Sequence, residues 1–288
     1  MNLHGTIVAA FGRHYEVEAD DGATWQALPK GKRSIYACGD RVVLEPAASG
    51  QARIADHLPR RSLLYRSDAF RQKLIAANAD QLVLVVATEP AFSDELLSRA
   101  LIAAEHDHLS AVIVLNKCDL TDRIAAARAL LAPFDALGYP LIELSAKQDA
   151  APLLPLLQGK LSVLVGQSGM GKSTLINALV PDAAAATREI SIALDSGKHT
   201  TTYARRYRLD AASTLIDSPG LQEFGLSHLT LGDIEDAFVE FRPYMGRCRF
   251  SDCRHEAEPN CAIKQAVADG RIHPRRYEHF MEMTRRQR

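Results

Sequence analysis

The chain has 288 residues, 47% hydrophobic and 24% charged, with a formal net charge of −1; it can bury a core, and its length allows about two domains. No apolar run approaches the ~20 residues that cross a bilayer, and the start MNLHGTIVAA lacks the basic and apolar regions of a secretion signal, so a cytoplasmic, non-membrane protein is expected. Five cysteines, three of them crowded near the C-terminus, do not suggest a disulfide framework; they suggest a metal site.

The near-neutral balance hides a segregation. Lys and Arg against Asp and Glu number 11 and 8 over residues 1–75, 12 and 21 over 76–241, and 11 and 6 over 242–288. Basic flanks around an acidic middle suit either a solvated surface or a polyanionic partner such as RNA.

Residues 1–58 alternate short apolar and polar runs, as in Gly5-Thr-Ile-Val-Ala, Tyr15-Glu-Val-Glu, Thr24-Trp-Gln-Ala-Leu and Asp40-Arg-Val-Val-Leu, with turn clusters between them. A small antiparallel β-barrel is expected. The Arg-rich stretch 59–75 reads as a linker. From residue 76 the pattern changes to buried strands (82–87, 111–115, 141–144, 161–165, 203–209, 213–216) alternating with helices near 93–107, 121–137 and 173–180. This is the signature of a parallel sheet covered on both faces, over 76–229. Residues 230–288 read as a mainly α segment holding the cysteine cluster and a basic helical tail.

The strand at 161–165 runs into Gly166-Gln167-Ser168-Gly169-Met170-Gly171-Lys172-Ser173 and then the helix former Thr174. This is a phosphate-binding loop in its proper strand–loop–helix setting: glycines let the backbone approach phosphate, Lys172 meets the β- and γ-phosphates, and Ser173 ligates Mg²⁺. The loop alone does not separate ATP from GTP. About fifty residues earlier, Asn116-Lys117-Cys118-Asp119 ends a buried strand. A carboxylate at Asp119 can accept from guanine N1–H and its exocyclic amine, a donor pair adenine lacks. The following strand ends in Ser145-Ala146-Lys147, a second guanine-contacting loop. Asp217-Ser218-Pro219-Gly220 ends another strand; Asp217 would hold Mg²⁺ through water and the Gly220 amide would sense the γ-phosphate. Between these lies Ser196-Gly-Lys-His199-Thr-Thr201-Thr, where Thr201 is the expected Mg²⁺ ligand. Small GTPases place a water-orienting Gln just after the D-x-x-G element, but here Leu221 stands there, so His199 becomes the candidate catalytic group.

Cys248-x4-Cys253-x-His255-x5-Cys261 offers three thiolates and one imidazole, enough for a closed, structural Zn²⁺ site. The guanine motif precedes the phosphate loop, the reverse of the ordinary order: either one of the matches is accidental, or the chain is a GTPase cut between elements and rejoined elsewhere.

With these motifs in that order, the chain resembles the RsgA/YjeQ family of circularly permuted GTPases. The resemblance spans nearly the whole length and includes Gly39-Asp40-Arg41-Val42, Ala77-Asn78-Ala79-Asp80-Gln81, Gly197-Lys198-His199-Thr200-Thr201 and the cysteine tail. It implies an N-terminal OB-fold, a P-loop GTPase domain and a zinc-binding domain, with GTP/GDP, Mg²⁺ and one Zn²⁺. It also implies hydrolysis stimulated by the small ribosomal subunit, contacts to its rRNA, and His199 as the catalytic histidine. A monomer is expected. Two alternatives stand beside this reading: a non-catalytic GTP-dependent RNA-binding switch, and an ATP-using P-loop enzyme in which Asn116–Asp119 is accidental.

Overall fold

Period-two burial along residues 3–57 closes a barrel. In the computed structural model, which describes residues 3–31, 35–48, 50–67, 72–180, 183, 203–218 and 226–285, the strands are β1 (Leu3–Phe11), β2 (His14–Ala19), β3 (Thr24–Pro29), β4 (Arg41–Pro46) and β5 (Gln51–His57). Ile7, Tyr15, Val17, Ala27, Val42, Leu44, Ala52 and Ile54 point inward and form a core of their own. The order β1-β2-β3-β5-β4, with β1 also pairing β4, closes the ring, as in five-stranded Greek-key barrels. The β3–β5 pair is parallel, so the barrel is not antiparallel throughout.

A bulge between Ile7 and Ala9 divides β1. Its first half pairs with β4, while Ala9 and Ala10 pair antiparallel with β12 (Ala204–Arg208) of the central sheet. The extra residue re-aims the strand, so one strand serves both sheets.

Residues 59–75, expected to be a linker, contain β6 (Leu63–Ser67), which pairs with β7 (Gln72–Ala77) as a hairpin; Leu64 and Ile75 are buried in the central core. The segments Gly39–Val42 and Ala77–Gln81 build this joint. Asp40, fully buried, accepts from Arg60 Nε at 2.6 Å and Nη2 at 2.7 Å. Asn78 Nδ2 donates to the Gly39 carbonyl at 3.0 Å, and Asp80 Oδ2 accepts from the Leu161 N–H at 2.8 Å.

The central sheet runs β10 (Leu141–Glu143), β9 (Ser110–Asn116), β8 (Gln81–Ala87), β11 (Leu161–Val165), β13 (Thr214–Asp217), all parallel, followed by antiparallel β12. Every residue of β8 is buried, as a central strand covered on both faces requires. The connecting helices are α1 (Asp94–His106), α2 (Thr121–Asp135), the short α3 (Leu154–Leu157) and α4 (Lys172–Leu179). Then come α5 (Leu231–Ala237), α6 (Ala262–Ala268) and α7 (Pro274–Arg285). The last three elements share one continuous core with the sheet through Phe238, Phe241, Phe280 and Met283. No helix among the described residues is long and apolar enough to cross a membrane.

Candidate nucleotide site and metal centre

Because β8, β9, β10, β11 and β13 are parallel, the loops after them emerge at one edge, where open α/β sheets bind ligands. Residues far apart in sequence meet there. Asn116 is buried and central: its Nδ2 donates to the Met170 carbonyl at 3.0 Å, and its Oδ1 accepts from the Lys117 and Ala146 N–H groups at 2.8 and 2.9 Å. One side chain therefore joins the Asn116–Asp119 loop, the Ser145–Lys147 loop and the phosphate loop. Lys117, with φ 62°, donates from Nζ to the Glu89 and Gly169 carbonyls, both at 2.7 Å, and Thr88 Oγ1 donates to the Lys117 carbonyl at 2.9 Å.

Asp119 is exposed at the mouth of this arrangement. The Ser145 hydroxyl beside it, then the Lys147 and Lys117 ammonium groups, hold its carboxyl below the usual range, so it is ionised at neutral pH and able to accept two donors. Ser145 Oγ is buried beside that carboxylate.

The phosphate loop wraps tightly. A Cβ at Gly166 would strike the Val85 carbonyl oxygen, and one at Gly171, where φ is 88°, would strike Asn116 Nδ2; both positions require glycine. The N–H groups of residues 167–173 donate to no described backbone or side-chain acceptor, leaving the anion cradle open. Gln167 Oε1 accepts from the Ser93 N–H at 2.8 Å, Met170 is buried, and Ser168, Ser173 and Thr174 are exposed. Lys172 Nζ donates to the Gly166 and Gln167 carbonyls at 2.7 and 3.0 Å. Burial pulls its pKa down, opposed by the nearby Asp217 carboxylate. Buried Asp217 and exposed Ser173 supply the hard oxygen donors that Mg²⁺ prefers. His199, Thr201, Gly220 and Leu221 lie outside the described residues.

Near the C-terminus, Cys248, Cys253, His255 and Cys261 bring their ligand atoms within 4.8 Å of one another. Cys248 and Cys261 sulfurs are 3.9 Å apart, and a tetrahedral ion with bonds of about 2.3 Å to thiolates needs about 3.8 Å. His255 turns Nδ1 inward, 3.3 Å from Cys261 Sγ, and Nε2 outward, 3.3 Å from Glu235 Oε1 on α5. The outer carboxylate fixes the ring orientation that presents Nδ1 to the cysteine sulfurs. The Ala262 N–H donates to Cys248 Sγ at 3.3 Å and the Lys264 N–H to Cys261 Sγ at 3.5 Å. Tyr277 Oη donates to the His255 carbonyl at 2.5 Å. The cluster fits a closed metal site. Cys38 and Cys118 lie apart from it, Cys38 fully buried with its thiol pushed up to about 12 by that burial.

Thr88, Glu235 and Tyr277 carry no motif. Each acts through a neighbour on another element, so only the folded arrangement reveals them.

The RsgA GTPase family profile matches residues 57–227. A "small ribosomal subunit biogenesis GTPase RsgA" from Burkholderia pseudomallei (strain K96243) is 56% identical over 285 residues, covering 97% of this chain and 91% of that protein. One of the same name from Paraburkholderia phytofirmans is 55% identical over 290 residues, covering 97% and 92%. Among solved structures, YjeQ from Thermotoga maritima matches with a TM-score of 0.74 at 30% identity, covering 100% of this chain and 99% of that one. YloQ, described as a circularly permuted GTPase, matches with a TM-score of 0.71 at 26% identity, covering 100% and 95%. With base and phosphate loops joined in permuted order and these likenesses along nearly its whole length, the chain belongs to the RsgA GTPase family and is a GTP hydrolase.

Proposed function

We propose that this GTPase binds the small ribosomal subunit and assists its late maturation in the cytoplasm, with GTP hydrolysis stimulated by the subunit and coupled to release. The names of its relatives support the setting. The observation that carries the nucleotide chemistry is the Asn116 side chain bonded at once to Met170 and Ala146, which makes one site from two reordered motifs.

In that site Asp119 accepts the guanine donors while Ser145, Ala146 and Lys147 wall the base. The N–H groups of Gly166–Ser173 and the Lys172 ammonium bind the phosphate chain. Ser173, Asp217 and Thr201 would hold Mg²⁺, which when bound neutralises charge on the β- and γ-phosphate oxygens. Gly220 senses the γ-phosphate, and His199 positions the attacking water that Leu221 cannot. The Cys248, Cys253, His255 and Cys261 cluster holds one structural Zn²⁺. The working units are a barrel at 1–58, a joint at 59–75, the GTPase at 76–229 and the zinc-binding segment at 230–288, acting as a monomer whose basic flanks meet rRNA.

The test is GTP turnover with and without purified small subunits. Strong stimulation is expected, with nearly complete loss of it in His199→Ala while GTP binding is retained. Turnover indifferent to subunits would overturn the proposed setting, and full stimulation in the variant would overturn the role of His199.

A further inference from the structure

The loop that carries the first two cysteines has a second face. Cys248 and Cys253 turn toward the cluster, and the residues flanking them turn outward: Arg247, Arg249 and Arg254 are all exposed. Between them Phe250 is 40% exposed, and Met245 on the same loop 39%. The Arg249 guanidinium lies 5.5 Å from the Phe250 ring centroid, a cation–π contact that holds both planes in place.

The three arginines have no ion pair or side-chain hydrogen bond among the described residues. The loop's own carboxylates do not neutralise them. Glu256 pairs with Arg285 at 2.9 Å, and Glu258 accepts from the backbone N–H groups of Arg254, Glu256 and Ala257. Asp252 forms no ion pair among the described residues. The patch thus combines unpaired cations with an exposed aromatic face on a loop anchored at both ends by cluster residues.

We propose that Arg247, Arg249, Phe250 and Arg254 form a binding surface for single-stranded RNA, in which an unpaired base stacks on the Phe250 ring and the arginines meet flanking phosphates. Every base has a π-face and every nucleotide a phosphate, so this pairing of aromatic and cation takes a single strand without reading its sequence. A duplex hides its bases in the stack and offers Phe250 nothing to cover. The inference rests on the proposed RNA-facing role of the C-terminal segment and names the surface that performs it.

Fluorescence anisotropy of a short labelled oligouridine titrated with the full chain tests this. Phe250→Ala should weaken binding on the order of tenfold, and Phe250→Tyr should restore it. Changing the three arginines together to Gln should lower the slope of log affinity against log salt by about 2. Zinc content and basal GTP turnover should be unchanged in all variants. Equal affinity of Phe250→Ala and the parent for oligouridine would overturn the proposal. So would an equal loss for duplex RNA of the same length, or preferential binding of a polyglutamate peptide, which would mark an acidic protein as the partner. A parent chain that ignores oligouridine would also overturn it, while stimulation of turnover by small subunits decides the proposed function separately.

Discussion

The barrel meets the central sheet through backbone. Ala9 and Ala10 pair with β12, the Phe11 and Tyr203 rings lie 4.6 Å apart, and the ion pairs to β12 are partly or largely exposed, Arg205–Glu16 at 3.5 Å and Arg208–Glu18 at 2.7 Å. The buried Asp40–Arg60 pair and the Asn78 bond to the Gly39 carbonyl tie the barrel to the β6–β7 joint rather than to the sheet. The C-terminal segment meets the same sheet's helices through buried charge. Arg276 is 1% exposed, donates to Glu240 Oε1 at 2.6 Å and to Ser98 Oγ at 2.8 Å, and lies 4.5 Å from the Phe238 ring centroid. Arg275, itself partly exposed, donates from Nε and Nη2 to the buried Asp94 carboxylate at 2.8 and 2.9 Å. The barrel also keeps its own core, whereas the C-terminal segment shares one with the GTPase. A junction made of peptide groups tolerates side-chain change, and one made of desolvated charges does not. The tolerant junction suits a unit attached to the GTPase; the intolerant one suits a unit that must move with it. Asp94 begins α1 directly after Ser93, whose N–H binds Gln167 of the phosphate loop.

Arg276→Ala should give the largest effect. It strands the Glu240 carboxylate in a dry interior, and breaking a buried pair costs about 3–5 kcal/mol. Thermal unfolding should show the loss, and a change within a fraction of a kcal/mol would mean that this junction is as forgiving as the barrel's.

Acid should strike the same junction. His279 is fully buried, with Nδ1 2.7 Å from Ser98 Oγ and Nε2 3.4 Å from Asp94 Oδ2 without a regular hydrogen bond. Burial pushes its pKa down to about 4, against attraction from Asp94 and with repulsion from Arg275 and Arg276. Burial would raise the Asp94 carboxyl, but Arg275 and its neighbours hold it below the usual range, so it stays charged through this window. The unfolded chain takes up a proton near pH 6.5 that the folded chain refuses until about 4. Stability is therefore complete above the unfolded value and falls as pH drops toward 4, by roughly 3 kcal/mol from this group. Denaturant unfolding of the parent and His279→Gln across that range should give curves of different slope; parallel curves would refute the assignment.

Much of this was legible in the chain and some was not, for definite reasons. The strands of the central sheet and the loops proposed to bind nucleotide announce themselves because a buried parallel strand is a continuous apolar run and a phosphate loop needs glycine at fixed places. β5 is faint because one of its two inward residues is only Ala52, and β6 and β7 are faint because charged residues interrupt them and mimic a linker. Nothing local predicts that β3 and β5 run parallel. Arg276 and His279 belong to a tail whose composition reads as solvated and basic, yet both are buried, so the tail's formal charge overstates what it can offer RNA.

Glu235→Ala tests the metal cluster's share in the junction. The carboxylate on α5 orients His255 from outside, and loss of such an outer partner lowers metal affinity about 10- to 100-fold. Competition for zinc with a chromogenic chelator should show it, and unchanged retention would reduce Glu235 to a bystander.

The smallest effect belongs to the barrel's side. Arg208 and Glu18 have side chains 62% and 38% exposed, so water and salt screen their attraction and each side chain gives up rotamer freedom to hold the pose. Arg208→Ala should cost less than about 1 kcal/mol in thermal unfolding, with no change in GTP turnover. The β1–β12 ladder persists without the side chain because its bonds belong to the peptide groups. A loss as large as that of Arg276→Ala would place the barrel's attachment in its ion pairs instead, and the contrast between the two junctions would fail.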